Sequence, residues 1–240
     1  MVILLGPPGA GKGTQADILA AQWGFFHFET SKIVEENLLA HDDDDTIVVD
    51  EVAYRYGDEK RRFESGVLVT PAVIAFWVSQ KIRELAGRGK TIVFSGSPRT
   101  LPEAETLVPL LEDLYKRVAL RALVITIPEE ESIRRNSHRR ICERCRAPVP
   151  FLPETEGLTT CERCGGKLVQ RGALDTPEVI RVRLKEYSER TAPIIAFLLQ
   201  RGILLRQIDG RAGIAAVADR VGEALRDGVA ITHVGTNRKV

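Results

Sequence analysis

The chain opens with an apolar run that leads directly into a glycine-rich loop. Residues 1–5 read MVILL, and GPPGAGKGT follows from Gly6 to Thr14. A continuous apolar run is typical of a strand buried on both faces of a parallel sheet. Glycines allow backbone amides to converge on an anion, a helix N-terminus adds positive potential, and Lys12 supplies a mobile cation. The sequence therefore predicts a phosphate-binding loop between a first strand and a first helix.

Strand-like and helix-like segments alternate along most of the remaining chain. Further apolar runs predict buried strands at 91–94, 120–127 and 203–208. Apolar residues at helical spacing predict helices at 12–23, 71–87, 102–116, 129–138, 177–200 and 213–226. This alternation is typical of an α/β domain with a parallel sheet.

Composition and charge narrow the class of protein. The 240 residues are 44% hydrophobic and 28% charged, which excludes a wholly disordered or fibrous protein. Lysine and arginine (34) nearly balance aspartate and glutamate (33), so no overall basic field favours nucleic acid or a membrane surface. No apolar run approaches the roughly 20 residues that span a bilayer. The N-terminus lacks the basic region of a signal peptide, and we expect a cytoplasmic protein without a membrane partner.

Two segments interrupt the alternation. Residues 31–65 predict helices separated by the acidic run Asp42–Asp45, which we expect to be a solvated loop because like charges repel. Residues 142–170 contain all four cysteines, several prolines and glycines, and no helical period. They predict a small inserted subdomain, and the polar residues 229–240 predict a frayed tail.

The spacing of the cysteines predicts a metal site. Two residues separate Cys142 from Cys145 and Cys161 from Cys164, and fifteen residues lie between the pairs. Two such pairs complete a tetrahedron of thiolates around Zn²⁺, and this closed site favours a structural metal. Disulfides are one alternative, which a reducing compartment disfavours. A nucleic-acid-binding ribbon is another, but Phe151 is the only aromatic residue in the segment for base stacking.

In their order and spacing, these motifs resemble those of the adenylate kinase family across nearly the whole chain. The phosphate loop has that family's shifted form, in which Gly13 follows Lys12 and Thr14 comes one place later than in the general pattern. The resemblance is carried further by GVLVT at 66–70, GSPRT at 96–100, RRIC at 139–142 and VRLKEYSERTAPI at 182–194.

The resemblance implies a three-layer α/β P-loop kinase fold. Its parallel sheet would carry a helical insert that binds the nucleoside monophosphate (NMP) and a small zinc-ribbon lid that closes over ATP. The core would comprise residues 1–29, 71–138 and 173–228, the NMP-binding insert 30–70, and the lid 139–172.

The resemblance also implies which residues bind the two nucleotides. The ATP phosphates would contact Gly9, Ala10, Gly11, Lys12, Gly13 and Thr14 and, from the lid side, Arg135 and Arg139. The acceptor would contact Thr30, Lys32, Glu35, Val67, Leu68, Val69, Gly96, Arg99, Glu103, Arg171 and Arg183. The transition state of phosphoryl transfer is rich in negative charge and needs cations. Those implied as catalytic are Lys12, Arg99, Arg139, Arg171 and Arg183.

Several positions depart from the family pattern. Glu35 stands where the family has an arginine for the acceptor phosphate, and we hypothesise that Lys32 supplies the missing cation, paired with Glu35 on one helix face. Glu103 replaces a glutamine that reads adenine, and a carboxylate suits the two hydrogen-bond donors of guanine. Ser95 replaces the acid that orders magnesium waters. An insertion around Asp42–Val52 either reshapes the acceptor pocket or is a longer surface loop.

Together these features predict an NMP kinase that transfers the γ-phosphoryl group of ATP reversibly to AMP. It would use ATP with Mg²⁺ and a structural Zn²⁺, act as a monomer, and bind no nucleic acid. One alternative is a kinase for GMP or a pyrimidine nucleotide. Others are a non-catalytic, ATP-binding regulatory protein and a zinc-ribbon NTPase that acts on nucleic acid, which the balanced charge disfavours.

Overall fold

The computed structural model of the chain describes residues 1–64, 69–145, 147–170 and 175–226. Its strands, numbered in chain order, are β1 (Val2–Leu5), β2 (Phe26–Phe28), β3 (Thr46–Val49), β4 (Val52–Arg55), β5 (Ile92–Phe94), β6 (Arg121–Thr126), β7 (Arg140–Cys142), β8 (Pro148–Val149), β9 (Leu168–Gln170) and β10 (Leu204–Asp209). Its α-helices are α1 (Lys12–Trp23), α2 (Thr30–Leu39), α3 (Tyr56–Glu64), α4 (Pro71–Gly87), α5 (Leu101–Tyr115), α6 (Glu129–Ser137), α7 (Pro153–Glu156), α8 (Pro177–Glu186), α9 (Pro193–Gln200) and α10 (Ile214–Arg226).

The central sheet is parallel and contains five strands in the order β10-β6-β1-β5-β2. β1 lies in the middle, where Val2 is in register with Val93 on one side and Arg121 on the other. The predicted strands are confirmed. The sequence analysis does not predict β2, because its three residues are too few to establish a period.

Different helices cover the two faces of the sheet. From β1, Ile3 and Leu5 belong to one buried cluster with Trp77 of α4, whereas Val2 and Leu4 belong to a second cluster with side chains of α1 and α10. Alternate side chains of a strand point to opposite faces, so both sets of β1 are buried. The three-layer α/β fold is therefore confirmed.

The predicted helices are also confirmed, with one interruption. The helix predicted over 177–200 consists of α8, a π-helical turn at Tyr187–Thr191, and α9. α4 begins at Pro71, directly after Thr70, and α8 begins at Pro177, directly after Thr176. Proline is favoured in the first turn of a helix because it has no N–H to satisfy there.

The insert between β2 and α4 contains a β-hairpin besides its helices. β3 and β4 pair in antiparallel fashion, and the turn residues Asp50 and Glu51 both have positive φ. The predicted helices, α2 and α3, and the exposed acidic loop at Asp42–Asp45 are confirmed, but the prediction missed the hairpin that lies between them. The acidic residues before β3 are exposed, but they bind cations: Asp43 pairs with Lys60 at 2.7 Å and Asp44 with Arg55 at 2.6 Å. These ion pairs relieve the repulsion expected within the acidic run.

The segment that contains the cysteines folds as a separate three-stranded sheet in the order β8-β7-β9, with the short helix α7 beside it. The predicted tail at 229–240 lies outside the described residues. Within the described ranges, no helix is both long enough and apolar enough to cross a membrane.

Candidate active site

A cavity of about 360 Å³ opens beside the phosphate loop, near the carboxyl ends of β1 and β5. Ligands of open α/β sheets commonly bind at this edge. The predicted site residues that line it are Gly9, Ala10, Gly11, Lys12, Gly13, Thr14, Thr30, Gly96, Arg99, Arg135, Arg139 and Arg183. Those that are described but do not line it are Lys32, Glu35, Val69 and Glu103. Val67, Leu68 and Arg171 lie outside the described residues.

The glycines of the phosphate loop are required by its packing. Gly6 and Gly9 both have positive φ, of 147° and 75°. A Cβ atom on Gly6 would lie 2.2 Å from the carbonyl oxygen of Ile125, and one on Gly9 would lie 2.5 Å from Nδ2 of Asn136. The hydroxyl of Ser132 donates to the Pro8 carbonyl at 2.7 Å. The loop is therefore fixed against β6 and α6.

Lys12 is half-buried at the start of α1, and its Nζ donates to two loop carbonyls at 2.7 and 2.9 Å. Burial is the main cause that lowers the pKa of Lys12 to about 7. The second cause is the positive charge of three guanidinium groups, those of Arg99, Arg183 and Arg139. Four cationic side chains thus face one small cavity, and a polyanion would neutralise them.

Asp175 holds two of these arginines in place. Its carboxylate is buried and accepts from Arg139 at 2.8, 3.0 and 3.2 Å and from Arg183 at 3.3 Å. Arg139 lies directly before β7, at the base of the cysteine subdomain, and Arg183 lies on α8. Charge-assisted bonds to a planar guanidinium fix its orientation. The structure therefore brings together Arg139 and Arg183, which are 44 positions apart in the sequence.

Arg99 and Arg135 line the cavity but are held by nearby groups. The Nε atom of Arg99 donates to the Gly96 carbonyl at 2.6 Å. Arg135 is buried, and it donates to the carboxylate of Glu131 at 2.5 Å and to the carbonyl of Arg211 at 3.2 Å. Arg135 therefore presents a largely neutralised guanidinium to the cavity.

Of the predicted acceptor residues on α2, Thr30 is the one that lines the cavity. Its hydroxyl lies 2.7 Å from the buried hydroxyl of Ser97. The predicted pairing of Lys32 with Glu35 is wrong, because the Lys32 ammonium contacts the carboxylate of Glu29 instead. Glu29 precedes α2 and lines the cavity, so its carboxylate attracts Lys32 toward that side. Glu35 is exposed on α2.

Glu103 and Val69 have local structural contacts. The Glu103 carboxylate accepts from the backbone N–H of Arg99 at 2.7 Å, at the N-terminus of α5. Val69 is buried in the main core. The adjacent Thr70 donates from its backbone N–H and its hydroxyl to the buried carboxylate of Glu59, at 2.8 and 2.7 Å. Glu59 thereby fixes the start of α4.

The four cysteines form a compact group that could hold a metal ion. Their Sγ atoms lie within 4.8 Å of one another, at 3.4 Å for Cys142 and Cys164 and 3.7 Å for Cys145 and Cys161. Tetrahedral thiolates around Zn²⁺ lie about 3.8 Å apart. All four are free thiols. A Cβ atom on Gly166 would lie 2.8 Å from the Cys142 sulfur, so a side chain there would disturb the group.

The cavity has an apolar wall that the sequence analysis does not predict. It combines residues of the cysteine subdomain with residues at the start of α10, namely Pro148, Pro150, Leu152, Ala212, Ile214 and Val217. The Glu154 carboxylate accepts from the backbone N–H of Ile214 at 2.8 Å and ties the two segments together. No motif or period relates segments that are 60 positions apart.

Two buried amide side chains also border the cavity. Oε1 of Gln15 and Oδ1 of Asn136 have no hydrogen-bond partner within the described residues. Buried polar atoms are normally paired, and these two oxygens are exceptions. Gln15 donates its amide to the carbonyl of Ile214 at 3.2 Å, which places it at the apolar wall.

The chain is similar over most of its length to known proteins. The family model described as adenylate kinase matches residues 4–203. An adenylate kinase of Dehalococcoides mccartyi is 34% identical over 230 residues, which cover 95% of this chain and 98% of the relative. An adenylate kinase of Caldicellulosiruptor saccharolyticus is 32% identical, with 94% of this chain and 97% of the relative covered. One from Methanothrix thermoacetophila is 31% identical, with coverages of 93% and 97%.

Proposed function

The chain belongs to the adenylate kinase family, and we propose that it transfers the γ-phosphoryl group of ATP reversibly to AMP, giving two ADP. The observation that carries this proposal is the convergence of four cationic side chains on one cavity beside the phosphate loop: Lys12, Arg99, Arg139 and Arg183. Phosphoryl transfer depends on positioning and on cationic stabilisation of the transferring group. Such a site suits a phosphotransferase that acts on nucleotides.

In this mechanism the phosphate loop and Lys12 hold the donor. The loop amides and the N-terminus of α1 would bind the phosphates of ATP. The Lys12 ammonium would leave the loop carbonyls for the terminal phosphates. Because negative charge stabilises the protonated amine, phosphate binding would raise the pKa of Lys12 again.

The arginines would act on the transferring group and the acceptor. Arg139 and Arg183, oriented by Asp175, would neutralise charge on the γ-phosphoryl oxygens. Arg99 would hold the AMP phosphate near Thr30. An oxygen of that phosphate attacks the γ-phosphorus, and the bond to the bridging oxygen of ADP breaks. The attacking oxygen is already ionised at neutral pH, so no side chain has to remove a proton.

Magnesium fits this cavity as an ion carried by the nucleotide. Glu29 is the only carboxylate among the described residues that line the cavity, and it pairs with Lys32. Mg²⁺ usually keeps several waters and binds through substrate phosphates. The ion would neutralise phosphate charge, while the hydroxyls of Thr14 and Ser95 are the lining groups suited to its waters.

The cysteine group fits a structural Zn²⁺. Four thiolates would close its coordination shell and join β7 to the loop before β9. The backbone N–H of Cys145 donates to the Cys142 sulfur at 3.4 Å, which favours a thiolate there. Thiolates persist in a reducing compartment, which supports a cytoplasmic enzyme.

The test is ADP formation from ATP and Mg²⁺ with AMP, GMP, CMP, UMP and dTMP in separate reactions. We expect the highest kcat/KM with AMP, and Lys12→Ala serves as the inactive control. Turnover with GMP or a pyrimidine nucleotide alone would assign a different acceptor. ATP binding without turnover on any of the five would support a regulatory protein.

A further inference from the structure

One long-range hydrogen bond joins the π-helical turn at Tyr187–Thr191 to the loop before α5. The hydroxyl of Thr191, the last residue of the turn, donates to the backbone carbonyl of Arg99 at 2.7 Å, across 92 positions of the sequence. The turn directly follows α8, the helix that carries Arg183. The bond therefore connects the backbone of one cavity arginine to the helix that carries another.

The sequence gives a physical reason for the wide turn. Pro193 has no N–H, and a proline ring clashes with the carbonyl four residues before it in an α-helix. Directly before this proline, the backbone N–H of Ala192 donates to the carbonyl of Tyr187 at 2.8 Å, which is the five-residue spacing of a π-turn. Such turns are frequent at functional sites, and this one places Thr191 against the loop that contains Arg99.

The backbone of Arg99 is held on both of its polar groups. Its N–H donates to the carboxylate of Glu103 at 2.7 Å, and its carbonyl accepts from Thr191. Glu103 belongs to the first turn of α5, close to Arg99 in the sequence, whereas Thr191 comes from a separate part of the fold. The Arg99 side chain is exposed, so its position at the cavity depends strongly on where its backbone is fixed.

The turn that carries Thr191 is itself anchored to α5. Ile194 and Leu198 of α9 are fully buried in the main core cluster, which also contains side chains of α5. Arg201, directly after α9, pairs with the carboxylate of Glu112 on α5. Packing and an ion pair thus fix α9 on α5, and close-packed elements move little relative to one another. Thr191 is therefore a firm support for the loop that precedes α5.

We propose that Thr191 is a positioning residue for the acceptor: its hydroxyl holds the backbone of Arg99 so that the Arg99 guanidinium reaches the acceptor phosphate. Thr191 acts through Arg99 and is not among the described residues that line the cavity. The inference rests on the proposed function in that Arg99 binds the acceptor. It does not depend on the base, so the kinetic tests use whichever nucleoside monophosphate is phosphorylated.

The first test is independent of turnover and follows the carbonyl ¹³C resonance of Arg99 in the free protein by NMR. We expect this resonance to move in Thr191→Val, which keeps the branched shape and removes the hydroxyl. It should stay near its wild-type position in Thr191→Ser, which keeps the hydroxyl. An Arg99 resonance that is the same in Thr191→Val and in the wild type would overturn the proposal.

The second test compares acceptor kinetics with ATP affinity. We expect Thr191→Val to lower kcat/KM for the acceptor by about 10-fold, because a misplaced binding group loses its effect. The Kd for ATP should be unchanged, and Thr191→Ser should restore the acceptor kinetics. The matched control is Thr106→Val, because the Thr106 hydroxyl also donates to a carbonyl, that of Pro102, at 3.1 Å on α5. Equal acceptor kinetics in the two valine variants, or a serine variant as defective as Thr191→Val, would overturn the proposal.

The third test asks whether Thr191 acts through Arg99. We expect Arg99→Ala/Thr191→Val to have the same kcat/KM for the acceptor as Arg99→Ala alone, because the two residues act as one unit. Additive losses would show that Thr191 acts by another route and would overturn the proposal. An Arg99→Ala enzyme with wild-type acceptor kinetics would instead contradict the proposed function, because Arg99 would then not bind the acceptor.

Discussion

The two halves of the cavity differ in how their charged residues are held. On the donor side, which comprises the phosphate loop with Arg139, Asp175 and Arg183, the contacts are buried: the loop packs against β6 and α6, and one buried carboxylate joins two arginines. The acceptor side comprises residues 29–35 with Arg99 and Glu103. There the contacts of the charged side chains are exposed to solvent. Lys32 is 65% exposed and pairs with Glu29.

This difference indicates which charged side chains are already placed before the nucleotides bind. Donor-side residues are fixed before any ligand arrives, so their groups need little rearrangement to meet the phosphates. Acceptor-side charges are solvated, and interactions between exposed charges contribute little. Changes on the donor side should therefore affect catalysis strongly, and changes at exposed positions on the acceptor side weakly.

The largest effect is expected for Lys12→Met. Loss of the ammonium from the terminal phosphates should lower kcat by about 1,000-fold. The variant should remain folded, because burial already disfavours the charged amine in the free protein. Steady-state kinetics and thermal unfolding test both expectations. A loss below about 10-fold would contradict the role given to Lys12.

Asp175→Asn should loosen the placement of Arg139 and Arg183 and lower kcat by about 100-fold. Loss of the charge-assisted bonds should also cost about 2 kcal/mol in the free energy of unfolding. The matched control is Glu112→Gln, because Glu112 also bridges two arginines, Arg117 and Arg201, on a distant part of the fold. That variant should lose stability and keep its kcat. Equal losses of kcat in both variants would indicate a general effect of destabilisation.

ATP affinity should weaken as the pH rises from 7 to 9. With a pKa of about 7, Lys12 of the free protein is mostly neutral at pH 9, and binding must then take up a proton. Uptake of one proton by Lys12 on binding increases the Kd for ATP by about 50-fold between pH 7 and pH 9. Calorimetry in buffers of different ionisation enthalpy measures both quantities. Lys12→Met should show neither the increase nor the uptake, and a flat wild-type profile would contradict the lowered pKa.

Removal of the metal by a chelator should loosen the lid and leave the core folded. The lid has only a small apolar cluster, formed mainly by the cysteines and Leu168, so the metal supplies most of its stability. We expect about a 10-fold lower kcat/KM for ATP, restored by Zn²⁺ and not by Mg²⁺. Cys161→Ser should behave like the metal-free enzyme. Full activity of a protein shown by elemental analysis to be metal-free would contradict this.

The smallest effect is expected for Lys32→Ala. If Lys32 supplies part of the missing acceptor cation, KM for AMP should rise by about 3-fold with kcat unchanged. Glu35→Gln, at an exposed position on the same helix, is the control and should change KM by less than about 2-fold. An unchanged KM in Lys32→Ala would remove Lys32 from the acceptor site. A large loss of kcat would mean that the acceptor side is as rigid as the donor side.

Local signals predicted much of the fold. The helix from Lys12 to Trp23 and the one from Pro71 to Gly87 have the predicted bounds, because each combines a regular apolar period with a glycine or proline at its end. The hairpin of β3 and β4 was missed, since each strand has four residues and the turn Asp50–Glu51 lacks the glycine typical of such turns. Two ion pairs accompany this hairpin, between Asp44 and Arg55 and between Asp43 and Lys60.

The sequence by itself determined the phosphate loop, the cysteine group and the alternating α/β pattern, because each depends on residues that are close together in the chain. Only the tertiary structure decided that Asp175 joins Arg139 to Arg183 and that Asp17, His27 and Ser95 form one hydrogen-bonded chain. These contacts join separate helices, strands and loops. Their geometry depends on how the sheet orders its strands and how the helices pack on it, which no local spacing records.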